Sequence, residues 1–460
     1  MSKPELLEDY LELVTYGFTN PMPDADEGPW KITAKDVIGG EINFSTARKT
    51  TQEAYDTKLT RKSRPLIGDV LLTKDGTLGR LAIVQQKGLC INQSVAVLRP
   101  NEKILPEYLF YLLSTPEYQR QMIGDSDGTV IKHIYITRVG KMEVNIPSLK
   151  EQKERLKHLL AIDEKIKNSR QTNQTLEHIA QAIFKSWFVD FEPTRAKIAA
   201  KQAGQDPEPA AMAAISGCTL STTADAGKLL DQLSPEQQAQ LKATAALFPD
   251  AMVDSELGEI PEGWSLGAIL DIAELISGGT PKTSEADYWG NDFKWASAKD
   301  VSQAKNSLII NTERSITELG LNKSSTKIIP KFSTAVVARG ATTGRFTMFG
   351  ENIAMNQTCY ALKSIDAHPF FVNTLLKYEL PKLVNSAHGS VFDTITKDTF
   401  QLSKLVLPAV ELRGKYESKV AAIYEFVLAN IYQTEELSEC RDAILPKLLS
   451  GELSPKRTES

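Results

Sequence analysis

Ala34-Lys35-Asp36-Val37 returns later in the chain as Ala298-Lys299-Asp300-Val301. Three more matches follow in the same order. Thr77-Leu78-Gly79-Arg80 pairs with Thr342-Thr343-Gly344-Arg345, and Asn92-Gln93-Ser94 with Asn356-Gln357-Thr358. Gly128-Thr129-Val130, with Pro147 beyond it, pairs with Gly389-Ser390-Val391 and Pro408. The offsets are 264, 265, 264 and 261 residues. One match is chance, but four in order at a nearly constant offset mark a duplicated unit. The period lies far above the roughly 20–50 residues of solenoids and propellers, so the copies are whole domains. Two diverged domains suit a protein that reads two similar but non-identical things.

Each copy opens with short β-like runs. Val70-Leu71-Leu72, Leu81-Ala82-Ile83-Val84 and Ser94-Val95-Ala96-Val97-Leu98 stand in the first; Ala335-Val336-Val337 and Cys359-Tyr360-Ala361-Leu362 stand in the second. Turn residues such as Asp75-Gly76 and Gly340 punctuate them. Helices are predicted from Pro106 and from Pro369, proline being suited to a first turn.

After Pro147 and again after Pro408 the period changes. Apolar residues fall at Leu156, Leu159, Ile162, Ile166, Leu176, Ile179, Ile183 and Trp187. The second series is Tyr416, Val420, Ile423, Val427, Ile431, Leu437, Ile444 and Leu448. Spacings of three and four predict two amphipathic helices of about 40 residues, or roughly 60 Å at 1.5 Å per residue. A stripe that long needs another helix along it, and each is the other's natural partner. Polar residues interrupt both stripes, at Ser169 to Asn173 and near Gln433-Thr434. They either fix the register or mark a place where the helix is solvated or broken.

The expected fold is α+β, with two similar globular α/β domains separated by two long antiparallel coiled-coil-like helices, a pseudo-two-fold internal repeat. The expected division is 1–148 and 257–409 for the domains, 149–190 and 410–451 for the helices, and 452–460 for a tail. The join, 191–256, is rich in Ala and Gln. It reads as an extended, partly helical connection rather than a domain, with one helix from Ser234-Pro235-Glu236-Gln237 carrying a capping-box pattern.

Composition sets further bounds. The chain has 460 residues, 42% hydrophobic and 24% charged, as in a globular protein long enough for several cores. No apolar run approaches the ~20 residues that span a bilayer, so no membrane partner is expected. The start, MSKPELLEDY, is no secretory signal. Cys90, Cys218, Cys359 and Cys440 show no CxxC spacing, which argues against disulfides and cysteine-bound zinc and makes the cytoplasm the default compartment. The net charge is −5, but its distribution matters more. Lys58 to Arg80 carries six basic and two acidic residues; Leu321 to Gly350 carries five basic and none acidic. The two stretches are equivalent under the repeat.

Motifs for catalysis are missing: there is no GxxxxGK[ST], GxGxxG after a strand, HExxH or GxSxG, and no Asn/Asp-Pro-Pro-Tyr/Phe of amino-methyltransferases. His133, His158, His178, His368 and His388 do not cluster with zinc-ligand spacing. Gly278-Gly279-Thr280-Pro281-Lys282 could hold an anion, but no helix signal follows it. The chain is expected to catalyse nothing itself, and no cofactor is expected on it.

In architecture and motifs the chain resembles the specificity subunit of type I restriction-modification systems, over nearly its whole length. The second copy carries the most specific residues: Ile260-Pro261-Glu262-Gly263-Trp264, Ile276-Ser277-Gly278-Gly279-Thr280-Pro281, Trp295 with Lys299-Asp300-Val301, Arg339-Gly340, Gly344, and Asn356-Gln357. Ala443-Ile444-Leu445-Pro446-Lys447-Leu448-Leu449-Ser450-Gly451 also matches. The first copy keeps Trp30, Lys35-Asp36-Val37, Gly68-Asp69-Val70, Gly79-Arg80, Asn92-Gln93 and Phe184-Lys185-Ser186-Trp187-Phe188. It departs at its start, where Gly17-Phe18-Thr19 stands in place of Ser-Gly-Gly-Thr-Pro. The resemblance implies two target recognition domains, each reading half of a split double-stranded DNA site, with the helices as spacer. It also implies two methyltransferase subunits docked on the helices, methylating adenine with S-adenosylmethionine, and restriction/translocase subunits in the full complex. The rival reading is a duplicated helical scaffold with no sequence-specific DNA role.

Candidate DNA-binding residues are Lys35, Lys74, Arg80, Lys132 and Arg138 in the first copy and Lys282, Lys299, Arg339, Arg345 and Lys397 in the second. For any one of them a solvated surface role competes. Residues shared by both copies suit phosphate contact or fold maintenance. Base reading belongs where the copies differ, including Thr15 to Asp26 against Ser277 to Tyr288 and Tyr55 to Arg61 against Glu318 to Ser324. Asn92 and Asn356 are expected to cap their own turns, and Trp30 and Trp295 to anchor cores.

Overall fold

The computed structural model describes residues 5–124, 133–217, 233–387 and 394–453. Gly128-Thr129-Val130, Lys132, Cys218, His388 and Gly389-Ser390-Val391 lie outside them. The chain divides into two compact units, Met1–Ile166 with Glu436–Ser460, and Lys167–Glu435.

The first unit is built on an antiparallel sheet ordered Leu11–Tyr16, Val95–Pro100, Val70–Thr73, Leu81–Ile83. The second has the same order in Ala273–Ser277, Cys359–Ser364, Thr334–Val337 and Phe346–Phe349, with Leu308–Ile309 added at the edge. Val70–Thr73 and Thr334–Val337 are buried at every position, which is why both read as short unbroken apolar runs. A second sheet recurs as well. Ala25–Ile32 lies between Arg48–Lys49, antiparallel, and Leu89–Ile91, parallel. Its counterpart places Trp289–Ala296 between Arg314–Ile316 and Ile353–Met355 with the same directions. Thus the repeated motifs mark a repeated topology.

Two helices of 40 and 41 residues, Leu149–Phe188 and Val410–Ser450, each pass from one unit into the other. Within the first unit, Leu156 and Leu159 share a core with Leu445, Leu448 and Leu449, and Arg441 Nη1 meets Asp163 Oδ1 at 2.7 Å. Arg155 donates to the Leu449 carbonyl. Within the second unit, the Tyr416 hydroxyl donates to the Ala180 carbonyl at 3.2 Å and Asn173 Nδ2 to the Val427 carbonyl at 3.2 Å. In each unit rising numbers on one helix meet falling numbers on the other, so the helices run antiparallel.

The polar interruption settles as a register device. The first helix continues unbroken through Ser169 to Asn173. Asn430 Nδ2 donates to Asn173 Oδ1 at 2.8 Å, both residues buried. A slip of one turn would strand two amides in an apolar seam, at about 1–3 kcal/mol for each unpaired group. Ile179, expected in the stripe, is instead 45% exposed. The buried row runs through Asn173, Ala180, Phe184 and Trp187.

The connecting segment is partly helical, as expected, but its described helices are packed rather than extended. The helix capped by Ser234 is present as Pro235–Ala245, with Gln237 N–H donating to Ser234 Oγ at 3.2 Å. Glu192–Gln202 and Pro207–Ile215 are helical too. Ala211, Met212, Ile215, Ala245 and Phe248 are buried in one core with Trp187, Phe188 and Trp264. Over its described residues the segment is a packed helical insert. Its small residues permit close helix approach, while most of the bulk is supplied from outside it by the end of the first long helix and by Trp264.

Gln152 and Glu417 hold equivalent places on the two long helices, and both are buried. Gln152 Oε1 accepts the Leu105 N–H at 2.8 Å, at the start of helix Pro106–Ser114. Glu417 accepts the Phe370 and Phe371 N–H groups at 3.1 and 3.0 Å, at the start of helix Pro369–Ala387. Burial pushes the Glu417 carboxyl up to about 7, outweighing those two hydrogen bonds. The folded state therefore binds this proton more tightly than the unfolded chain. The penalty is absent below the ordinary glutamate value and complete above about 7. Between pH 4.5 and 7.5 wild type should lose on the order of 2–3 kcal/mol that Glu417→Gln does not lose. Denaturant midpoints across this range measure the difference, and parallel slopes for the two proteins would refute it.

Candidate nucleic-acid interface

The loops that carry the candidate cations meet at one end of each main sheet. In the first domain Lys74 N–H donates to the Ser94 carbonyl at 2.9 Å, Gln93 N–H to Phe18 at 2.9 Å, and Ile134 N–H to Lys74 at 3.0 Å. The same frame recurs in the second. Gly279 N–H donates to Met355 at 2.9 Å, Ala338 N–H to Thr358 at 2.8 Å, and Ile395 N–H to Ala338 at 2.9 Å.

The shared motifs build this frame. Asp36 and Asp300 close capping boxes, accepting the Thr33 and Ser297 N–H groups at 2.9 and 2.8 Å. Asn92 Oδ1 accepts from Ser94 Oγ at 2.6 Å and Asn356 Oδ1 from Thr358 Oγ1 at 2.8 Å, so both asparagines cap their own turns. A Cβ on Gly17 would lie 1.8 Å from the Ile91 carbonyl oxygen, and one on Gly278 2.0 Å from that of Asn356. Gly17 therefore does the work of Gly278 despite the altered surrounding sequence. The Gly279 N–H is already committed to Met355, which removes it from anion binding. Trp295 is buried and donates to the Gly279 carbonyl at 3.0 Å; Trp30 is only half-buried.

The candidate cations now separate. Arg80 Nη1 donates to the Val37 carbonyl at 3.2 Å and ties two loops together. Lys74 Nζ pairs with Asp75 Oδ2 at 2.7 Å and lies 5.4 Å from the Tyr16 ring centre. Burial works against the Asp75 charge, but hydrogen bonds from Lys74 and His133 hold its carboxyl below the usual range. The Arg138 guanidinium lies 5.0 Å from the Tyr135 ring centre. Lys299 pairs with Glu313 at 2.6 Å, which raises the Lys299 ammonium above the usual lysine range. Lys35, Lys282, Arg339, Arg345 and Lys397 are exposed and have no ion pair among the described residues. Exposed cations with no ion pair are the groups that neutralise backbone phosphates.

The divergent segments also come together. In the second domain Thr317 N–H donates to the Tyr288 carbonyl at 3.0 Å and Thr317 Oγ1 to that of Asp287 at 2.7 Å. These contacts seat Glu318–Ser324 on Ser277–Tyr288. In the first, strand Leu11–Tyr16 lies beside the turn Arg61–Ser63. Two further cations escaped the sequence reading. Lys49 Nζ stands 4.7 Å from the Trp30 ring centre, and the Arg314 guanidinium stands 3.3 Å from that of Trp289. Lys49 and Arg314 are 265 residues apart, so the repeat offset would have found them.

Among the described residues no group of His, Cys, Asp and Glu could hold a metal ion, and Cys90, Cys359 and Cys440 are free. No described helix is long and apolar enough to cross a membrane.

Residues 23–178 and 261–415 match the family of the type I restriction modification DNA specificity domain. The HindI type I restriction enzyme specificity subunit of Haemophilus influenzae is 33% identical over 379 residues, 79% of this chain and 81% of that one. The MjaIX specificity subunit of Methanocaldococcus jannaschii is 23% identical over 435 residues, 92% and 86% of the two chains. A crystal structure of a type I restriction-modification S subunit from M. genitalium aligns over 99% of this chain and 96% of that one, with a TM-score of 0.46 and 14% identity.

Proposed function

The chain belongs to the type I restriction-modification DNA specificity family, and from that premise we propose that each domain reads one half of a split, asymmetric DNA site. It is a DNA sequence-recognition subunit and not itself an enzyme. One observation carries the two-reader proposal. The same strand order and loop frame are built twice, while the segments seated on that frame differ. A shared frame docks on the duplex in the same way each time; different loops select different bases.

The remaining parts of the proposal rest on the exposed cations and the helix register for the DNA contacts, and on the family alone for the partner subunits. Exposed Lys35 in the first domain, and Lys282, Arg339, Arg345 and Lys397 in the second, contact phosphates. The buried Asn173–Asn430 pair fixes the register of the helices, and so the separation and rotational phase of the two readers on the duplex. Two methyltransferase subunits dock on those helices and carry S-adenosylmethionine, and restriction/translocase subunits join the full complex. Comparing adenine methylation across the source genome with and without this gene tests the proposal. The expected result is loss of methylation at one split, asymmetric motif. Methylation that persists at every split motif, or loss at an unbroken site, would overturn it.

A further inference from the structure

Trp30 faces Lys49 across the second sheet of the first domain, and Trp295 faces Arg314 in the same register in the second. The scaffold is thus shared, while the cation at its tip differs. In the first domain the tip is a lysine ammonium over one indole. In the second it is a guanidinium 3.3 Å from the Trp289 ring centre and 5.9 Å from that of Trp295, the two indoles standing edge to face at 89°. Arg314 is exposed. Both indoles are fixed from behind, Trp295 by the Gly279 carbonyl at 3.0 Å and Trp289 by the Lys282 carbonyl at 3.2 Å. Those carbonyls belong to Ser277–Tyr288, the loop in which the two copies diverge.

Resting on the two-reader proposal above, we propose that Arg314 reads a guanine in the half-site of the second domain. A guanidinium held against an indole loses little further freedom on binding and keeps its N–H fork for a partner. The fork matches the O6 and N7 acceptors of guanine in the major groove, a bidentate contact that no other base offers. Lysine at the equivalent place is a point charge without that planar fork. A reader position should look like this: the strand register of Trp30 and Trp295 is common to both copies, while the second indole, Trp289, and the head group are particular to the second.

The test uses the full complex with its methyltransferase. Genomic DNA methylated by wild type, Arg314→Lys and Arg314→Ala is mapped, and purified complexes then methylate duplexes carrying each of the four bases at every position of the mapped motif. Arg314→Lys keeps the charge and removes the fork. It should lower the preference for guanine at one position of the second half by roughly tenfold to a hundredfold, leaving the first half unchanged. Unaltered base preference in both variants would refute the role of Arg314 alone. So would a uniform loss of methylation on all duplexes in Arg314→Ala, which would make it a phosphate contact. Altered preference in both halves would refute the two-reader proposal, and this one with it.

Discussion

A chimera in which residues 252–409 are replaced by the matching segment of a relative will direct its methyltransferase partner to a site with a new second half, the old first half and the old gap. The junctions follow from the structure. Met252–Ser255 pairs with Gly258–Pro261, so a cut at 251 keeps that hairpin whole. A cut at 409 spares the second long helix, which starts at Val410. The donor domain must bury itself against the retained helices. Its helix equivalent to Pro369–Ala387 has to present two N–H groups to Glu417, and its core has to accept Tyr416 and Phe184, which pack at 5.6 Å between ring centres. Donors with Gln or Glu at the place of Glu417 meet the first condition. The first unit keeps its own core and its own loop frame, so nothing in its half of the site should move. Motif mapping by methylation reads the result. A change in both halves would mean that the domains do not read independently.

Trp187→Ala should be the most destabilising single substitution outside the recognition loops. Trp187 is among the largest fully buried side chains, with edge contacts to Phe248 at 5.4 Å, Phe188 at 5.9 Å and Tyr416 at 6.3 Å. These partners come from the helical insert and from both long helices, so one cavity loosens three elements. Removing a buried tryptophan costs about 3–5 kcal/mol. Since each unit has its own core, the loss should appear in the unfolding of Lys167–Glu435. Hydrogen exchange should speed in the insert and around Ala180, while the amides of Val70–Thr73 stay protected. Uniform acceleration across both units would contradict that partition.

The duplication, the main strands and both long helices were legible because their signals are periodic or local. Asn92 and Asn356 cap turns through atoms two residues away, a distance sequence can show. The insert was legible only in the helix that Ser234 caps; its packing was not. Ala211 and Ala245 look like weak core residues until Trp187 and Phe188 close over them. Nor was Glu417, since a carboxylate in a helix reads as solvated unless a second helix points its N-terminus at it. Among the candidate cations, Arg80 and Lys299 turned out to have intramolecular partners. The repeat offset pairs Lys49 with Arg314 as equivalent positions, but that each stacks on an indole depends on cross-strand register, which a linear reading does not contain.

The first unit draws on both ends of the chain, whereas the second is a single continuous stretch. During synthesis this orders assembly in time. At about 5–20 residues per second, tens of seconds separate Ile166 from Glu436. Through that interval Leu156 and Leu159 lack Leu445, Leu448 and Leu449, with which they share a core. Lys167–Glu435, by contrast, already holds every segment it needs. The domain made first is therefore completed last, and it waits with an apolar helix face open, the condition in which nascent chains most need chaperones.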